Sequence, residues 1–195
     1  MKKIYAFDFD GTLTTKDTLL EFIRFAKGTL AFGLGFLRYA HLLVLMKLGL
    51  YPNWKAKQKV FAHFFKDLTI EEFDAICQEF AASSKYLLRP KGIEAINQAL
   101  NEGSEVLIVS ASIDNWVQPF FPQVKVLGTQ IEVVDGKLTG RFLSKNCYGQ
   151  EKVNRILALY PNRQDYHLTA FGDSNGDKEL LAWADESHFK PFREV

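Results

Sequence analysis

Two aspartates one residue apart, Asp8 and Asp10, close an apolar, aromatic run that starts at Ile4, and Gly11 and Thr12 follow at once. Side chains in a strand alternate between faces, so the two carboxylates share a face wherever the strand continues through them. A run this apolar reads as a buried strand of a parallel sheet. Open α/β sheets place their ligands where chain leaves the carboxyl ends of such strands. Two acids at that edge make a poor core and a good site. The plainer alternative is that Asp10-Gly11 is a turn signal and Asp10 merely opens a loop.

Two later stretches repeat the pattern. Glu105 to Ser110 is a second buried-strand run with a hydroxyl at its end, and His167 to Asp177 is a third that delivers Asp173 and Asp177. Between them Lys152 falls in the first turn of a helix beginning near Gly149, where a cation opposes the helix dipole. A merely solvated lysine there is the duller reading, as helix caps are for Ser110 and Ser112 and surface charge is for Asp177.

Taken in order, Asp8-x-Asp10-Gly11-Thr12, Ser110, Lys152 and Gly172-Asp173-x-x-x-Asp177 resemble the four motifs of the haloacid dehalogenase-like phosphohydrolases. Within them the chain is similar to the branch related to phosphoserine phosphatase. That resemblance implies an enzyme, a phosphomonoester hydrolase. In it Asp8 is the nucleophile that forms an aspartyl-phosphate, and Asp10 protonates the leaving oxygen and then activates water. Asp8, Asp173 and Asp10, the last through its carbonyl, hold Mg²⁺, with Asp177 as a further ligand or just behind them. Thr12, the Ser110 hydroxyl and the Ala111 N–H hold substrate or phosphate oxygens, helped by a helix start after Ser112, and Lys152 neutralises charge. Electrostatics agree. A carboxylate meeting a phosphate dianion faces repulsion of about 4 kcal/mol per charge pair at roughly 4 Å and an effective dielectric near 20. Four acids and one lysine cannot offset that, so a hard divalent cation with oxygen ligands is required. One departure stands out. The branch carries Asn before its last Asp, whereas Gly176 occupies that place here and Asn175 precedes it, which makes phosphoserine a poorer substrate.

The elements that must position these residues follow from periodicity and caps. Thr18 with Glu21 fits a capping box opening a helix to about Lys27. An apolar segment runs from Thr29 to Leu48, and Pro52-Asn53 breaks it. Helices are predicted over Trp54 to Phe65 and Ile70 to Ser83, the latter capped by Thr69. From Pro90 onward helices and strands alternate: a helix over Ile93 to Asn101, another over Ile113 to Phe121, a strand over Val124 to Leu127, a hairpin around Asp135-Gly136, and a helix over Gly149 to Leu159. Alternation of this kind predicts an α/β fold, a doubly wound parallel sheet, with an all-helical cap inserted after the first strand. The expected division is a catalytic core of residues 1–15 and 85–195 and a helical cap of residues 16–84.

Composition narrows the partners. The 195 residues include 47% apolar residues and 17 phenylalanines, enough for one sizeable core. A net charge of +1 gives no support to nucleic acid. Cys77 and Cys147 lack metal-ligand spacing and read as reduced thiols. Too few apolar residues precede Asp8 for a signal peptide, so the chain reads as cytoplasmic. Arg38, His41 and Lys47 interrupt the Thr29–Tyr51 stretch, which argues against a spanning helix. That segment is apolar nearly all round, so it is buried cap core, a subunit contact, or a peripheral membrane contact suited to a lipid substrate. Its early apolar cap resembles the phosphatidylglycerophosphatase C proteins. Expected partners are therefore a phosphorylated small molecule or a phospholipid head group. Asp17 is a candidate substrate contact in the cap, and Lys55, Lys57 and Lys59 either face the site or are solvated. Competing functions are phosphotransfer or mutase chemistry by the same site, and a non-catalytic binding protein.

Overall fold

The computed structural model describes residues 1–193. Five parallel strands form its sheet: β1 (Lys2–Phe7), β2 (Glu105–Ile113), β3 (Lys125–Thr129), β6 (Tyr166–Gly172) and β7 (Glu186–Phe189), in the order β3-β2-β1-β6-β7. β4 (Ile131–Val134) and β5 (Lys137–Phe142) form a separate hairpin turning at Asp135-Gly136. Chain order reverses at β1, which has β2 on one side and β6 on the other. That is the switch point at which such sheets bind ligands.

Alternation along β1 sets the two cores. Ile4 and Ala6 pack with Leu107, Leu168 and Ala170 under α6 (Gln150–Leu159) and α7 (Lys178–Trp183). Tyr5 and Phe7 join the opposite core, with Ile108 and with Ile96 of α4 (Pro90–Asn101). This second core runs on without a break into the helical block between β1 and β2.

That block is all helical, as expected: α1 (Thr18–Lys47), α2 (Asn53–Phe65) and α3 (Ile70–Ser83). Thr69 caps α3 through a full capping box with Glu72. Phe22 is the hub of the block, its ring 5.0–5.6 Å from those of Trp116, Phe80, Phe65 and Phe73. Phe22→Ala is expected to cost about 3–5 kcal/mol. Leu34→Ala, on the exposed side of the same helix, should cost less than about 0.5 kcal/mol. Equal melting temperatures for the two variants would refute this account of the core.

α1 is not straight. Gly28 has φ 79° and ψ 162°, a conformation that L side chains rarely adopt, and it divides the helix into two limbs. Leu19 and Leu20 near the start of α1 and Leu43 and Met46 near its end line the same cleft. A straight helix would separate Leu20 from Met46 by about 39 Å, so the limbs fold back on one another.

The helical block is stitched to the rest at its ends. Thr15 N–H donates to Leu87 O (2.8 Å), and Arg89 N–H donates to Leu13 O (2.7 Å). The β4–β5 hairpin is stitched to it as well: Asp67 N–H donates to Leu138 O, Leu138 N–H to Leu68 O, and Ile70 N–H to Gly136 O, each at 2.9 Å.

Three local expectations need correction. The residue capping α1 is Asp17, whose carboxylate accepts from Leu19 and Leu20 N–H, while Thr18 is buried and accepts from Trp116 Nε1 (3.2 Å). Glu21 bonds Arg24 instead of closing a capping box. The segment 113–121 is not one helix: β2 continues through Ile113, and only a four-residue helix, α5 (Asp114–Val117), and a 3₁₀ turn follow. Pairing of Ile113 with Thr129 of β3 outcompetes the helical pattern there. Cys77 and Cys147 are buried and unpaired.

Candidate active site

Backbone pairing brings the acids together. Asp8 N–H donates to Phe171 O (2.9 Å), so β1 and β6 leave the sheet side by side and release Asp8 next to Asp173. Leu13 and Thr14 N–H turn back onto Phe9 O. A Cβ at Gly11 (φ 80°) would lie 2.5 Å from Asp173 Oδ2, so only glycine lets this loop pass so close to the acid. Thr12 Oγ1 sits between the carboxylates, 3.4 Å from Asp8 Oδ2 and 3.4 Å from Asp173 Oδ1.

Lys152 comes from the first turn of α6 and is buried. Its Nζ donates to Asp8 Oδ1 (2.6 Å) and Asp177 Oδ1 (2.5 Å). The other Asp177 oxygen accepts from Asp173 N–H (3.1 Å), Ser174 N–H (3.0 Å) and the Ser174 hydroxyl (3.0 Å). Asp177 thus orients both Lys152 and the loop carrying Asp173. Burial would lower the Lys152 ammonium, but Asp8 and Asp177 outweigh it and hold it above its usual range. Burial pushes the Asp8 carboxyl up to about 7, against Lys152, with Asp177 and Asp10 adding repulsion. One lysine therefore does not neutralise this corner.

The donor set fits a hard cation. Asp8, Asp173 and Asp177 each present an oxygen, all within 4.8 Å of one another. Oxygen-only donors with surplus negative charge suit Mg²⁺. Arg193 also reaches the group, donating to Asp173 Oδ2 (2.6 Å).

Asp10 is pinned from two sides. Its Oδ1 accepts from Thr18 N–H at the start of α1 (2.7 Å), and its Oδ2 accepts from the Ser112 hydroxyl (2.5 Å). Ser110 Oγ accepts from Ser112 N–H (3.1 Å) and lines the cleft together with Ala111. β2 runs on through Ile113, and the helix expected after Ser112 starts at Asp114 and lasts only four residues. The Ser110-x-Ser112 spacing, two hydroxyls on one face of an extended chain, was the available signal for Ser112.

A cleft of about 350 Å³ opens over these groups. Asp8, Asp10, Ser110 and Lys152 line it, together with the apolar Phe36, Leu43 and Met46 of α1 and Val60 of α2. Of the cap lysines, Lys57 faces the cleft and donates to Ala111 O (2.5 Å). Lys55 and Lys59 are exposed and lie over Trp54 and Tyr51. Burial lowers the Lys57 ammonium, with Asp10 and Asp17 opposing. Asp17 also lines the cleft, and desolvation beside Asp10 pushes its carboxyl up while Lys57 draws it down. Nothing in the sequence marks Tyr148, which also lines the cleft. Its ring would lie 2.6 Å from a Cβ at Gly176, so glycine in the place of the expected Asn makes room for a tyrosine at the cleft.

Similarity to known proteins runs along most of the chain. The family profile described as haloacid dehalogenase-like hydrolase matches residues 5–182. Protein CicA of Caulobacter vibrioides is 33% identical over 196 residues, covering 97% of this chain and 86% of the relative. A Bordetella pertussis protein of unknown function superposes with a TM-score of 0.81 at 19% identity, covering 96% of this chain and 89% of the other. A substrate-bound phosphoserine phosphatase superposes with a TM-score of 0.62 at 23% identity, covering 97% of this chain and 86% of the other. At such identities the two structures establish a shared fold. With the profile spanning nearly the whole chain and one relative a third identical along its length, the chain belongs to the haloacid dehalogenase-like hydrolases, and its fold is that of their phosphoserine phosphatase-like branch.

Proposed function

We propose that the chain is a Mg²⁺-dependent phosphomonoesterase working through an aspartyl-phosphate. The meeting of Asp8, Asp173 and Asp177, two of them held by the buried Lys152 ammonium, carries this reading. Asp8 attacks phosphorus while the bond from phosphorus to the ester oxygen breaks. Asp10, aimed by Ser112 and Thr18 N–H, gives its proton to that leaving oxygen. Asp10 then takes a proton from water, whose oxygen displaces Asp8 and releases inorganic phosphate. Ser110, Ala111 and Lys152 hold the phosphoryl oxygens as charge shifts. When bound through Asp8, Asp173 and the Asp10 carbonyl, with Asp177 beside them, Mg²⁺ supplies charge neutralisation on the phosphoryl group.

The substrate is a phosphorylated small molecule or a phospholipid head group. Lys57 and Asp17 would contact its polar part, and the apolar Phe36, Leu43 and Met46 favour one carrying an apolar moiety. In this reading residues 16–84 are a cap domain and residues 1–15 and 85–195 the catalytic core. Phosphate release from a panel of phosphomonoesters, with and without Mg²⁺ and with no acceptor added, is the test. Mg²⁺-dependent release that disappears on chelation is expected. Consumption of substrate without phosphate release would point to phosphotransfer, and equal rates after chelation would remove the metal from the scheme.

A further inference from the structure

Among the described residues, the outer side of α1 has no partner. Between Thr29 and Lys47 only Gly35 is buried, although the segment is apolar nearly all round. Its inner side, with Phe36, Leu43 and Met46, covers the cleft and packs on α2. Leu30, Leu34, Leu37, Val44 and Leu48 face outward, each between 57 and 78% exposed. Leu50 continues this face into the turn before α2, at 72% exposed. These positions fall on one stripe at helical spacing, and single scattered leucines would not do so.

Charge selects what covers the stripe. From Phe22 to Lys66 the chain holds eight lysines and arginines and no aspartate or glutamate. The whole chain carries +1, so the remaining residues sum to −7. The cations Arg38, Lys47, Lys55 and Lys59 are exposed around the stripe. The spacing of the stripe would also suit a helix seam between two copies. Two such faces would, however, set cation against cation with no acid to pair. An anionic lipid surface answers both the leucines and the cations.

Length and composition would let α1 cross a membrane, with a mean hydropathy of 1.5 over its most apolar window. The fold argues otherwise, because both ends of α1 line the same cleft and its inner side is occupied by the protein. We infer that the outer face of α1, from Leu30 to Leu48, docks in the plane of an anionic bilayer, with the cations of residues 22–66 around it. This docking stands whether or not the cleft hydrolyses phosphate.

The test is co-sedimentation of the full chain with vesicles of phosphatidylcholine alone or mixed with phosphatidylglycerol. Binding to the mixed vesicles is expected, weakening as salt rises. Leu34→Ser with Leu37→Ser should abolish it while circular dichroism stays unchanged. Arg38→Gln with Lys47→Gln should lower partitioning roughly 25-fold, at about fivefold per cation. Absence of binding, or equal binding to both vesicle types, overturns the inference. So does a solution dimer that the leucine variant dissociates in a protein that ignores vesicles, since the stripe would then belong to a second copy.

Discussion

Asp8→Asn is expected to remove at least about 10⁴-fold from kcat on a generic aryl phosphate, or roughly 5.4 kcal/mol of transition-state stabilisation. Asn keeps the shape of the side chain and its contact with Thr12, but its amide cannot form the phosphoryl bond. The fold should survive. Burial already drives the Asp8 carboxyl up to about 7, so its ionised form is costly to keep in place. An uncharged replacement is therefore expected to melt no lower than the parent, and Lys152 retains Asp177 as a partner. Stopped-time phosphate release alongside thermal melts reads both quantities. Normal turnover by a well-folded Asn variant would end the covalent scheme at Asp8.

Lys152→Ala should fail in both respects at once. It strips the positive charge from Asp8 and Asp177, whose side chains are at most 8% exposed. Removing one partner from a buried ionic group costs about 3–5 kcal/mol. For a chain of this length that lowers the melting temperature by roughly 10 °C. The second effect expected from the proposed mechanism is catalytic, because among the described residues no other lysine touches Asp8. Adding Asp8→Asn to Lys152→Ala should recover part of the lost stability but none of the activity, a coupling that a double-mutant cycle measures. If the two losses in melting temperature simply added, the buried triad would not be an energetic unit.

The acids and Lys152 were legible because each sits at a predictable place, a strand's carboxyl edge or a first helical turn. Strand order then needed only the parallel register of β1 with β6 to bring Asp8 and Asp173 together. Other residues depended on long-range packing. Lys57 and its neighbours Lys55 and Lys59 alternate identically in sequence, and only the approach of α2 to Ala111 tells them apart. Arg193 reaches Asp173 from the far end of the chain, and Tyr148 matters because Gly176 leaves space for its ring. The α1 cap moved by one residue because Trp116, distant in sequence, captures the Thr18 hydroxyl. The apolar segment after Gly28 gave no face to bury, since leucines occupy every side of it; the structure covers one side and leaves the other bare.

If residues 16–84 act as the proposed cap, the stitching of the β4–β5 hairpin onto the α2–α3 link changes how that cap would open. A cap held only by its own two ends would swing on a pair of hinges near Thr15 and Arg89. Here the hairpin must travel with it, carried by three main-chain hydrogen bonds and by Phe142 N–H, which donates to Gln58 Oε1 (2.9 Å). A body made of the helical block and the hairpin would cross to the rest of the chain at four places, the added two lying between Thr129 and Ile131 and between Phe142 and Gly149. Four tethers restrict a wide swing to a shallow rocking motion. Under the proposed division, a large substrate would enter edgewise, along the apolar rim of α1, instead of through a gaping mouth.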